Sequence, residues 1–152
     1  MKRCFFIGHR YADFSIYDRL YQAVEAAIAK GVTEFIVGHY GAFDRLAAKA
    51  VKQAKKTHEV RLVMLLPYHP ALRPMERPDE FDAFFYPSGM ERVPLRLAIV
   101  QANRRVVEEV DYVIAYVRHG SGNSAKILNY AKKLSQKKTM QIYNIGEEKE
   151  QA

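Results

Sequence analysis

The chain has 152 residues, enough for one domain with a substantial core, and its 49% hydrophobic and 27% charged residues are typical of a globular protein. A single cysteine excludes an internal disulfide and an all-cysteine metal site within one chain. The net charge of +7 is compatible with nucleic acid and with phosphate-bearing small molecules alike. Because no apolar run reaches the roughly 18 residues of a membrane span and no signal peptide is recognisable, we expect a cytoplasmic protein with no membrane partner.

Five short apolar runs alternate with longer segments of helical periodicity. The runs predict strands over residues 4–8, 34–38, 60–66, 111–117 and 139–145. The periodic segments predict helices over residues 18–30, 43–56, 95–109 and 124–134. Since the strands are almost continuously hydrophobic, both faces of the sheet should be covered by helices. The pattern predicts an α/β protein: a Rossmann-like three-layer sandwich with a parallel sheet of about five strands.

One stretch of the chain, 67–94, interrupts this alternation. It contains all six prolines and an unusual number of aromatic residues: Tyr68, Phe81, Phe84, Phe85 and Tyr86. A loop of this length inside a compact domain is usually functional or disordered, and so many aromatic residues argue against disorder. We interpret the stretch as a lid-like insertion, or as a surface that packs on a second subunit. The predicted organisation is a single domain over 1–146 and a flexible tail over 147–152.

Polar residues and glycines follow each of the first four predicted strands. Four of the five histidines are among them: His9, His39, His69 and His119. Because ligands of open parallel sheets bind beyond the carboxyl ends of the strands, these residues predict a shared polar pocket. The spacing of the histidines lacks an HxH or HxxxH pattern, so we expect no metal ion. We expect no cofactor either. An anion is favoured, because the segment GSGNS ends at Ser124, where a helix whose free N–H groups attract phosphate should open.

Four segments of the chain together resemble a known family. They read CFFIGHR, VGHYGAFDRLAAKAVKQAK, FYPSGMERVPLRLAIVQANRRVVEEVDYVIAYV and GSGNSAKILNYAKK. The chain resembles the SLOG superfamily, which groups the DNA-processing protein DprA with the LOG phosphoribohydrolases. The likeness covers about residues 3–145 and is greatest to small bacterial members with an N-terminal GHR motif. It implies a Rossmannoid fold that forms a homodimer or a higher oligomer.

The resemblance also implies which residues bind the ligand. They stand at the strand ends and helix starts: Gly8, His9, Arg10, Gly38, Gly41, Asp44, Asn103, Ser121, Gly122, Asn123 and Ser124. Two positions depart from the family pattern. Asn123 replaces a second glycine of the phosphate-binding loop, and Ala102 stands where related sequences have an arginine.

The expected function follows from a third position at which the chain departs from the family pattern. LOG enzymes carry a glutamate in the first turn after the glycine-rich loop, whereas this chain has Lys126 or Ile127 there, depending on the alignment. A catalytic carboxylate would have to come from Glu91, or else from Asp44. We therefore expect binding or sensing of a nucleotide-derived, phosphate-bearing ligand. The alternatives are hydrolysis or transfer at a nucleotide N-glycosidic bond and, less favoured, DprA-like binding of nucleic acid.

Overall fold

The computed structural model describes residues 1–38, 41–71 and 78–147. Within these ranges six strands form a single parallel sheet: β1 (Lys2–Gly8), β2 (Val32–Val37), β3 (Arg61–Leu65), β4 (Ala83–Phe85), β5 (Tyr112–Tyr116) and β6 (Gln141–Asn144). Four α-helices flank it: α1 (Tyr17–Ala29), α2 (Ala42–Ala54), α3 (Ala98–Glu109) and α4 (Asn123–Ser135). The predicted α/β class and three-layer arrangement are confirmed.

The sheet has the order β4-β3-β2-β1-β5-β6, so β1 lies at its centre between β2 and β5. The chain builds one half of the sheet outward from β1 and then crosses over to build the other half. Residues of α1 and α2 form the core on one face, and residues of α3 and α4 form it on the other. The reversal of strand order beside β1 creates the crevice at which ligands of open α/β sheets bind.

The central strand is buried, as its apolar sequence predicts. Cys4, Phe5, Phe6 and Ile7 are each less than 5% exposed. Cys4 packs in the core beneath α1, and burial raises the pKa of its thiol. A buried thiol that resists ionisation is a poor nucleophile, so Cys4 serves as a small core residue.

The insertion differs from the prediction because part of it joins the sheet. β4 lies within it and pairs with β3 as an edge strand. Asp82 directly before β4 accepts a hydrogen bond from the Leu62 N–H at 2.7 Å and forms an ion pair with Lys55, the residue that follows α2. These contacts join residues far apart in sequence, so no local pattern indicated the strand. Residues 72–77 of the predicted insertion lie outside the described residues. The same is true of His39 and Tyr40 and of residues 148–152 in the predicted tail.

The carboxyl end of β1 is closely packed between two helices. A Cβ added to Gly8 would overlap the ring of Phe43, the second residue of α2. Phe43 is itself 1% exposed and stacks on Tyr116 with the ring centroids 5.9 Å apart. On the following loop, the Ala42 N–H donates to the Arg10 carbonyl oxygen at 2.8 Å. These contacts pack the start of α2 directly against the end of β1.

We predict that Gly8→Ala destabilises the fold, because the new methyl group displaces a ring that has no room to move. Overpacking of this kind lowers the free energy of unfolding by about 1–3 kcal/mol. Urea denaturation measures the change. Gly120→Ala is the matched control, since a Cβ there meets nothing within 4 Å, and it should stay within about 0.5 kcal/mol of wild type. Equal stability of the two variants would contradict the packing argument.

Candidate functional site

A cavity of about 300 Å³ lies at the carboxyl edge of the sheet, where β1 ends. This volume is at the lower end of the roughly 300–1,000 Å³ of small-molecule sites. The start of α2 borders the cavity from one face of the sheet, and α3 and the start of α4 border it from the other. Nine of the predicted ligand-binding residues line it: Gly8, His9, Arg10, Gly38, Gly41, Asp44, Asn103, Asn123 and Ser124.

Three predicted site residues do not line the cavity. Ser121 is exposed in the loop before α4. Gly122 adopts φ +93°, a conformation that favours glycine, and so provides the turn into the helix. Glu91 is exposed in a 3₁₀ turn and lies near Tyr86, whose pKa is raised by burial and, secondarily, by the Glu91 charge.

Apolar residues that the sequence reasoning missed complete the lining. Leu65 ends β3, Ile99 is in the first turn of α3, and Ile127 is in the second turn of α4. Leu65 and Ile127 are also buried in the core. The carboxyl-edge position of Leu65, at the end of an apolar run, was the one sequence signal that could have indicated a role in the lining.

The start of α4 is tied to the end of β1. The Ser124 hydroxyl donates to the Gly8 carbonyl oxygen at 2.6 Å. The helix begins one residue earlier than predicted, at Asn123, and has no side-chain hydrogen bond at its N-cap, Gly122. Ser124 therefore positions the helix, while Asn123 and the first-turn N–H groups are the groups at this end that can meet an anion.

The backbone selects one tautomer of the neutral His9 ring. Its Nε2 accepts a hydrogen bond from the Arg118 N–H at 2.8 Å, so in the neutral ring Nδ1 carries the proton. The ring stacks on His119, with centroids 4.2 Å apart and planes 12° apart. Burial lowers the pKa of His9, and the charges of His119 and Arg118 lower it further. His9 thus offers a neutral N–H donor at the cavity.

Asp44 is the only carboxylate among the described residues that line the cavity. It lies in the first turn of α2, where the helix dipole favours a negative charge. A Cβ on Gly38 would lie 2.9 Å from Asp44 Oδ2, so the glycine allows the carboxylate to pack against the end of β2. Across the cavity, Asn103 is half-buried on α3, and its neighbour Ala102 is wholly buried in the core.

Three further observations concern metal ligands, membrane spans and the position of Asp111. Within the described ranges, no three histidine, cysteine or acidic residues are grouped so that they could hold a metal ion. None of the helices described is both long and apolar enough to cross a membrane. Asp111, part of the family-like segment, lies at the opposite edge of the sheet and accepts a hydrogen bond from the Arg3 N–H at 3.0 Å.

No protein-family model matches the chain, and no curated protein matches it. Membership of the SLOG superfamily therefore stays a prediction from the sequence.

The His9 geometry predicts a pH dependence of stability. Since its pKa is lowered from 6.5 in the folded chain, the unfolded chain binds more protons below that value. The stabilisation by neutral His9 is therefore complete above about pH 6.5 and is lost as the pH falls through the lowered pKa. We predict that His9→Gln, which keeps an acceptor but does not titrate, reduces the fall in unfolding free energy between about pH 7 and pH 5.

Urea denaturation at several pH values measures this slope. His69→Gln is the control, because His69 is exposed and does not line the cavity. The control should keep the wild-type slope. An unchanged slope in His9→Gln would contradict the lowering of the His9 pKa by burial.

Proposed function

We propose that the protein binds a nucleotide-derived, phosphate-bearing ligand in the cavity at the carboxyl edge of the sheet. The observation that carries the proposal is the distribution of polar groups around this cavity. Hydrogen-bond donors that favour an anion lie at the start of α4. The Asp44 carboxylate, which repels an anion, lies at the start of α2. A molecule with a phosphate at one end and hydroxyl groups at the other matches both.

The phosphate is assigned to the α4 side of the cavity. The N-terminus of α4 carries unpaired backbone N–H groups and the positive end of the helix dipole. Asn123 adds an amide donor, and the exposed Arg10 adds a guanidinium that can bind phosphate through two hydrogen bonds. Neutral His9 can donate a further hydrogen bond from Nδ1 without introducing a buried charge.

The sugar is assigned to the α2 side. A carboxylate repels phosphate but accepts hydrogen bonds from ribose hydroxyls, as acidic residues do in other nucleotide-binding α/β folds. Asp44 occupies that position, and its two oxygens provide about four acceptor sites. Asn103 on α3 supplies an amide that can donate to or accept from the same groups.

Cleavage of the N-glycosidic bond is the alternative function that the site could support. It needs a carboxylate that stabilises the developing positive charge or activates water. Because Glu91 is outside the cavity lining and Asp44 is within it, Asp44 replaces Glu91 as the leading candidate for that role. The position of the LOG glutamate offers only the exposed Lys126 or the buried Ile127. We therefore favour binding over hydrolysis.

We also propose that the protein acts in the cytoplasm as a homodimer or higher oligomer. Two leucines directly before α3 support self-association, because Leu95 is 58% exposed and Leu97 is 41% exposed. Exposed apolar side chains in neighbouring positions are a common feature of protein interfaces. Binding of nucleic acid is less favoured: the charge permits it, but the small cavity favours a small molecule.

Asn123→Asp should abolish stabilisation by adenosine monophosphate. The new carboxylate repels phosphate, while a negative charge in the first turn stabilises the helix, so the unliganded protein should keep its Tm. Thermal denaturation with and without the nucleotide measures both effects. Asn129→Asp introduces the same charge at an exposed site in the middle of α4 and should keep the ligand-induced rise in Tm.

Two outcomes would contradict the proposal. Equal stabilisation of wild type and Asn123→Asp by the nucleotide would place its phosphate elsewhere. Release of free adenine at about 1 per second or faster, and its loss in Asp44→Asn, would establish the hydrolase instead.

A further inference from the structure

A second and larger space adjoins the cavity. It is a groove of about 1120 Å³ over the outer side of α2, bordered by α1 and by the residues that precede β4. Gly38 and Asp44 line both the groove and the cavity. Since both linings include these two residues, the two spaces meet at the end of β2. A ligand held in the cavity can therefore extend into the groove.

The groove is rich in positive charge. Four cationic side chains from α2 and the turn after it recur at helical spacing along one side: Arg45, Lys49, Lys52 and Lys56. Of these, Lys52 forms an ion pair with Glu80 at 3.3 Å. Within the described ranges, no carboxylate forms an ion pair with the other three. The groove therefore favours an anionic occupant.

Aromatic rings lie among these charges. Tyr21 of α1 and Phe81 before β4 are half-buried and line the groove. Tyr17 is nearly buried, and its hydroxyl donates to Gln53 Oε1 at 2.6 Å, which holds its ring in place. The Lys49 ammonium lies 5.7 Å from the centroid of the Tyr17 ring. Rings with cations beside them can stack on a base while the cations bind a phosphate.

We propose that the ligand is a dinucleotide, two nucleotide halves joined through their phosphates, with one half in the cavity and the other in the groove. The inference rests on the proposed function, since the cavity half is the nucleotide assigned there. The cavity is at the lower end of the volumes of small-molecule sites, and the groove is several times larger, so the second half is assigned to the groove. Cations of α2 bind the phosphate charge of the second half, and Tyr21 and Phe81 contact its base.

Calorimetric titration with adenosine monophosphate and with diadenosine diphosphate tests this inference, because the two probes share one half and differ in the other. The dinucleotide should bind wild type at least about tenfold more tightly, the effect of one added hydrogen bond to a charged group. Lys49→Ala combined with Lys56→Ala should remove this difference and leave binding of the mononucleotide unchanged. Both lysines are exposed, so the double variant should fold.

Lys132→Ala combined with Lys133→Ala is the matched control. It removes the same charge from exposed positions in the last turn of α4 and should keep the preference for the dinucleotide. Equal affinity of wild type for both probes would overturn the dinucleotide inference but not the proposed function. A preference for the dinucleotide that survives in the Lys49 and Lys56 variant would have the same consequence. Failure of both probes to bind wild type would overturn the proposed function with it.

Discussion

The absence of a side chain at Gly8 is the constraint on which the site depends. It lets the Phe43 ring pack directly on the end of β1, while the Gly8 carbonyl oxygen accepts the hydrogen bond of Ser124. One residue thereby positions the starts of two helices, α2 on one face of the sheet and α4 on the other. The cavity is the space left between these two helix starts, so its shape follows from the packing of the core.

Electrostatics then give the two sides of the cavity different character. Both helices direct their positive ends toward the carboxyl edge, but α2 carries Asp44 in its first turn and α4 carries the neutral Asn123 there. The carboxylate offsets the dipole of α2, whereas the dipole of α4 acts on the cavity without an opposing charge. Burial lowers the pKa of His9, the charges of His119 and Arg118 lower it further, and its Nε2 accepts a hydrogen bond from the Arg118 N–H. This asymmetry is the physical basis of the proposed orientation of a nucleotide.

The sequence was sufficient to predict five of the six strands of the sheet and most of the residues that lie together at its carboxyl edge. β1 and β5 are continuous apolar runs, and a parallel sheet brings the residues after such runs together, which is why Gly8, Gly38 and Ser124 share one cavity. β4 was missed because it has only three residues and depends on the hydrogen bond between Leu62 and Asp82. The position of Glu91 outside the cavity was equally unpredictable, since the path of its segment depends on contacts distant in sequence.

Amide chemical-shift changes on titration with adenosine monophosphate test the central claim most directly, because they report the position of the ligand residue by residue. We predict that the largest changes fall on His9, Asn123 and Ser124, with smaller ones at Asp44. Amides at the opposite edge of the sheet, such as Asp111, should not shift. Changes confined to residues away from the cavity lining, or none at a saturating concentration, would contradict the claim that this edge of the sheet binds a nucleotide.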